Sequence, residues 1–215
     1  MVVKKDAHVS IQPPNMQVAS FKIRGIAPLV IHRFSSKTKN EMKQKMETGK
    51  PASSKKNREP TNTDDLFNGA RYVSKDGWDG IHAASFRNAM IRACSLVNYK
   101  MTMAKMSVFI EADGWDAAEP QIPLVRIDGA KPVKQEDMAR VETGQAYVTV
   151  RAAYHNWSAN VRIRWDADQF TLQDIANLLM RAGLQVGVGE GRPSSKDSNG
   201  MGWGIFEVVP SGVTA

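Results

Sequence analysis

A chain of 215 residues with a single cysteine, Cys94, has no disulfide framework and no cysteine-based metal site. Long apolar runs are missing too. No stretch approaches 18 uninterrupted apolar residues, and Met1-Val-Val-Lys-Lys-Asp6 lacks the apolar centre of a signal peptide. These absences lead to the expectation of a cytoplasmic protein with no membrane partner. The histidines His8, His32, His82 and His155 show no His-x-x-x-His spacing, which speaks against a zinc site. Gly187 to Arg192 does not fit Gly-x-x-x-x-Gly-Lys-Ser/Thr, so nucleotide hydrolysis has no support. No metal or other cofactor is expected.

What is present points to a globular protein. Hydrophobic residues make up 42% of the chain, enough for a substantial core. The length suits a single domain over residues 1–215 with an insertion inside it. The formal net charge of +7 favours a polyanionic partner, and the position of that charge decides what it means.

Taken in order, His8 to Gln12 alternates weakly and is broken by Pro13-Pro14. Val18 to Arg24 alternates as a half-buried strand, with Phe21 and Ile23 on one face and Lys22 and Arg24 on the other. Such a strand shows either a solvated outer face or a basic platform for nucleic acid. Ile26 to Ile31 is an apolar run ending at His32-Arg33. Residues 35–65 carry Lys37, Lys39, Lys43, Lys45 and further basic residues, with few large apolar ones beyond Met42 and Met46. This composition predicts a mobile basic insertion with one short helix at Asn40–Glu47. It serves either as a solubilising loop or as a segment that orders on phosphate.

Two strong helical patterns follow. Phe86, Ala89, Met90, Ala93 and Val97 form an apolar stripe, Ser85 is the expected N-cap, and Arg87 and Arg92 lie off the stripe near the helix start. Leu172, Ile175, Leu178, Leu179 and Ala182 form the second stripe. Thr171 and Asp174 stand at its start as a capping-box pair, and Gly183 is the expected C′ residue. Strands are expected at Met106–Glu111, Ile122–Ile127, Tyr147–Tyr154, Ala159–Trp165 and Trp203–Val209. In the fourth of these Val161, Ile163 and Trp165 face inward, and Arg162 and Arg164 face outward. Residues 128–145 read as polar loop. The order predicts an α+β fold of ferredoxin-like type, with two main helices on a largely antiparallel sheet.

Six glycines crowd into Gly187 to Gly204, between the second helix and the last strand. Glycine suits positive φ and close approach to the main chain, so Gly189, Gly191 and Arg192 are candidates for meeting phosphate. The alternative is a plain hairpin loop.

Three stretches together resemble the RAMP superfamily, the RRM-like proteins of CRISPR effectors, and most of all the backbone subunits that polymerise along guide RNA. They are Ala27-Pro-Leu-Val-Ile-His32, Gly80-Ile-His-Ala-Ala-Ser-Phe-Arg-Asn88, and the helix followed by a glycine-rich loop over Leu178 to Gly204. The compact size and lysine-rich insertion suit a stand-alone phage or mobile-element relative. Gly202-Trp-Gly-Ile-Phe-Glu-Val208 is also similar to an RNP1 motif, without its leading basic residue. The resemblance implies binding of single-stranded RNA or DNA along the sheet, the helix start and the glycine loop, with a filament of subunits as one form of assembly.

The expected function is non-enzymatic, sequence-tolerant binding of single-stranded nucleic acid. Arg33, the insertion lysines, Arg87 and Arg192 are expected at the backbone, and Tyr72, Trp78 and Trp203 are the candidates for base stacking. Two alternatives stand beside it. One is a metal-independent RNA endonuclease using His32, an activity the superfamily also contains. The other is a structural or inhibitory interaction protein of a phage.

Overall fold

The computed structural model describes residues 11–33, 36–49, 62–129, 131–140, 146–196 and 200–214. The elements in chain order are β1 (Met16–Gly25), β2 (Leu29–Ile31), α1 (Ser36–Thr48), α2 (Thr63–Gly69), β3 (Tyr72–Val73), β4 (Asp79–His82) and α3 (Ala83–Ala93). There follow α4 (Met101–Ser107), β5 (Val108–Glu111), β6 (Gly114–Trp115), β7 (Pro123–Arg126), β8 (Pro132–Arg140), β9 (Ala146–Tyr154), β10 (Ser158–Asp166), α5 (Leu172–Arg181) and β11 (Phe206–Thr214). The class is mixed α+β with antiparallel sheets.

The central sheet has the order β11-β1-β10-β5, and every neighbouring pair is antiparallel. Strict alternation builds it. Ala19, Phe21 and Ile23 of β1 and Ala159, Val161, Ile163 and Trp165 of β10 are buried, and the residues between them face solvent. Against that apolar face pack Phe86, Ala89 and Met90 of α3 and Ile175, Leu178 and Leu179 of α5. Each large apolar side chain buried in this layer contributes roughly 1.5–3 kcal/mol. Two smaller sheets, β2-β9-β8 and β3-β4-β7-β6, extend from this core.

Trp157 locks the β9–β10 hairpin onto the chain that leaves β1. It is fully buried and donates through Nε1 to Ala27 O at 2.9 Å. A Cβ on Gly25 would lie 2.1 Å from that indole nitrogen, which is why a glycine interrupts the apolar run there.

Several expectations need correction. Five α-helices occur among the described residues, where two main helices were expected. The short helix at Asn40–Glu47 is the middle of the longer α1. Residues 8–10 of the alternating stretch His8 to Gln12, and residues 35 and 50–61 of the expected insertion, lie outside the described residues. Ser85 does not cap α3: His82 does, accepting the Ala84 N–H at Nδ1 over 3.0 Å, and Ser85 sits in the first turn. The Thr171–Asp174 capping box is formed in full, but Gly183 is not the C′ residue. The chain continues past α5 as a π-turn over Ala182–Val186, and Gly187, at φ +72°, is the left-handed residue that ends it. Gly183 instead lets Phe206 approach, since a Cβ there would lie 2.2 Å from Phe206 O.

Met106 falls on α4, and the strand expected to contain it begins at Val108. The presumed loop 128–145 contains the nine-residue strand β8, paired along its whole length with β9. Its polar residues hide the strand period because the hairpin is wet on much of its surface, and cross-strand pairing overrides the weak propensity.

Candidate functional site

The glycine loop is fixed to the body of the fold by its main chain. Glu190 N donates to Val30 O and Gly204 N to Pro28 O, both at 2.8 Å, while Val188 N donates to Gly204 O at 3.0 Å. Gly204 adopts φ +67°, and a Cβ on it would lie 1.7 Å from Val188 O, so no other residue fits without displacing the loop. This pinning lays the loop beside β2, whose end delivers His32. β4 delivers His82 to the start of α3. A cleft of about 1040 Å³ opens between the three segments. Ser85, Asn88 and Arg92 of α3, Lys105 of α4, and Glu190 and Arg192 of the loop line it, with His32, Tyr72 and His82.

The cleft lining includes one carboxylate, Glu190, which faces Arg151 and the His32 ring. Glu190 Oε2 lies 3.4 Å from His32 Nδ1, and Glu190 Oε1 accepts from Arg151 Nη2 at 2.6 Å. Arg151 also donates to Asp137 at 2.9 Å, so a chain of charges runs from β8 through β9 to the loop. Burial works against the Glu190 charge, but His32 and Arg151 outweigh it and hold its carboxyl at about 2. Among the described residues Arg92, Lys105 and Arg192 form no ion pair with a carboxylate. The cleft therefore presents cationic groups available to an anion.

His82 and Tyr72 meet edge to face, with ring centroids 6.4 Å apart at 88°. Burial lowers the His82 pKa and keeps the ring neutral. Its Nδ1 is occupied as an acceptor, so Nε2 carries the proton. Tyr72 lies under the Arg33 guanidinium, whose carbon is 5.4 Å from the ring centroid. Burial, acting first, raises the Tyr72 pKa and keeps it a neutral donor.

Of the residues the sequence nominated, His32, Tyr72, Ser85, Arg92, Gly189 and Arg192 meet at this cleft. Arg192 braces the loop as well, donating to Gly189 O at 2.8 Å. The other nominated residues lie elsewhere. Gly191 and Trp203 form a packing pair, because a Cβ on Gly191 would touch the indole at 2.3 Å. Trp78 packs in the same way against Gly80 and Gly114.

Arg33 is 8% exposed and pairs with Asp116 at 2.9 Å and Glu119 at 2.7 Å, so its guanidinium faces the interior and not a phosphate. Lys39 reaches from α1 to the same Glu119. Lys37, Lys43 and Lys45 share that helix; Lys43 is exposed, and the side chains of the other two lie outside the described residues. Arg87 turns back to the carbonyls of Val108 and Lys105 and stacks 5.1 Å from the Phe109 centroid. This makes it a clamp between α3 and the α4–β5 segment.

Lys22, Arg24, Arg162 and Arg164 lie on the outer face of the central sheet, away from the helices. There Arg24 pairs with Glu207, Arg162 lies 3.5 Å from Asp113, and Arg164 lies 3.9 Å from Glu111. On that face the three arginines face carboxylates, and Lys22 forms no ion pair among the described residues.

Sequence reasoning gave no role to Glu190, Lys105, Asn88 or His82. Glu190 had a visible signal, as a carboxylate set between two glycines and two residues from Arg192. Lys105 had none, because it lies just before the expected strand Met106–Glu111, on no element read from the sequence.

Comparison with known proteins finds no family model that matches this chain and no curated protein significantly similar to it. Among the described residues no helix is long and apolar enough to cross a membrane.

Proposed function

We propose that this protein binds single-stranded RNA or DNA with little sequence preference and performs no chemistry on it. One observation carries the reading: the three segments singled out in the sequence converge on a single cleft. Within that cleft Arg92, Lys105 and Arg192 are cationic and unpaired among the described residues. These side chains would displace the counterions condensed on the strand's phosphates, and release of those ions drives binding. The fold is compatible with the reading. Order β11-β1-β10-β5, with α3 between β1 and β5 and α5 between β10 and β11, supports a split-βαβ arrangement of ferredoxin-like type. A RAMP-type domain would have it. The reading moves the strand off the sheet face, where carboxylates partner the arginines, and into the cleft. Copies bound side by side along one strand would form the filament that the resemblance implies.

Fluorescence anisotropy with labelled single-stranded RNA and DNA over a range of salt concentrations tests the proposal. Binding that weakens steeply with salt is expected; no binding at low salt would sink it.

A second reading is metal-independent RNA cleavage. The contact between His32 Nδ1 and Glu190 favours it, since a carboxylate that orients an imidazole leaves Nε2 to move a proton at a ribose hydroxyl. RNA product that forms in EDTA and is lost in His32→Ala would establish this reading over the first.

A further inference from the structure

Of the aromatic residues considered for base stacking, only Tyr72 reaches the cleft. Trp78 and Trp203 are committed to packing against glycines. Tyr72 sits where β3 pairs with β4, Tyr72 opposite Gly80, and this pairing puts it beside His82 at the start of α3. The two rings stand at right angles and make a corner. A flat ring placed in such a corner stacks on one wall and meets the edge of the other.

The corner is rigid. The Arg33 guanidinium covers Tyr72 and is itself held by Asp116 and Glu119, and the His82 ring is fixed by the Ala84 N–H. It also has polar groups to offer. Among the described residues the Tyr72 hydroxyl has no hydrogen-bond partner, and His82 Nε2 keeps its proton. Asn88 lines the same cleft and brings both a donor and an acceptor.

We infer that the Tyr72–His82 corner is a base pocket that receives one unstacked nucleobase of a bound single strand, with the neighbouring phosphates directed to Arg92, Lys105 and Arg192. This rests on the nucleic-acid reading above and adds to it a contact that charge alone does not supply. The pocket accepts any base, because every base has a π-face and the Tyr72 hydroxyl and Asn88 amide can each donate or accept. It excludes a paired base, which is stacked on both sides and cannot enter. Double-stranded nucleic acid therefore gains only the electrostatic part.

The experiment compares an oligothymidylate with a strand of equal length and charge in which all bases have been removed. Wild-type protein is expected to bind the abasic strand roughly 5- to 150-fold more weakly, the fold-change given by one stacked base. Tyr72→Leu keeps most of the side-chain bulk without the π-face. It is expected to bind both strands alike, at the wild-type abasic affinity and with the wild-type salt slope.

If wild type binds both strands equally, the base pocket is refuted and the electrostatic cleft remains. Equal weakening of both strands in Tyr72→Leu, with the wild-type ratio between them retained, makes Tyr72 a packing residue and also overturns the inference. Failure of wild type to bind either strand removes the nucleic-acid reading and the pocket together.

Discussion

Glu190 Oε2 lies 3.4 Å from His32 Nδ1, and this contact joins the glycine loop to the end of β2 at the mouth of the cleft. The Glu190 carboxyl is held at about 2, below the ordinary glutamate value of 4.5, so its charged form is favoured in the folded state. A depressed folded pKa stabilises the protein above the unfolded value, and that stability is lost as pH falls through the folded one. Wild type is therefore expected to exceed Glu190→Gln in stability by roughly 1–3 kcal/mol near neutral pH. The margin should shrink as pH drops from about 4.5 toward 2. Urea unfolding of both proteins across that range measures it, and a constant margin would contradict the assignment.

Charge removal should separate the cleft from the sheet face. Arg92→Gln and Lys105→Gln are each expected to weaken binding of a single strand. Each should reduce the slope of log affinity against log salt by about 0.7, the loss of one phosphate contact. Arg162→Gln and Arg164→Gln remove cations already facing Asp113 and Glu111, and should leave the slope unchanged. Salt titration of the four variants with one labelled oligonucleotide decides the matter.

Arg33 is expected to matter for stability and not for phosphate. Arg33→Met strands Asp116, which is 1% exposed, without its cation. The expected cost is about 3–5 kcal/mol. Adding Asp116→Asn should recover part of it, because the uncompensated charge is then gone. Denaturant midpoints of the single and double variants test this; a stable Arg33→Met with impaired binding would reverse the assignment.

Gly204→Ala is expected to cost upwards of about 2 kcal/mol, combining a left-handed backbone with a main-chain collision at Val188 O. Gly77→Ala is the control. It shares a positive φ of 84° but would meet nothing within 4 Å, so it should cost distinctly less. Thermal unfolding of the pair separates backbone strain from collision.

The central layer was legible wherever one face of an element is dry and the other wet. β1, β10 and the stripes of α3 and α5 announce themselves by period, and Thr171–Asp174 by side-chain chemistry. Legibility failed where partners distant in sequence decide the structure. β8 is a strand because β9 pairs with it, and Gly183 is a packing residue because Phe206 lies above it. The site shows the same division. The three segments around the cleft could be picked out in the chain, since glycine, proline and cap residues mark them. Which arginines stay free could not, because it depends on where Asp116, Glu111, Asp113 and Glu207 come to lie after folding.

β1 holds the middle of the central sheet through two partners drawn from much later in the chain, β10 and β11. The cleft inherits this long-range closure, since one of its walls is the loop that β11 anchors. A nascent polypeptide emerging from the ribosome thus has α3 and its stripe long before it has a wall opposite them. Until residues near Gly204 have emerged and reached Pro28, the cleft lacks one wall, so whatever it holds can be held only late in synthesis.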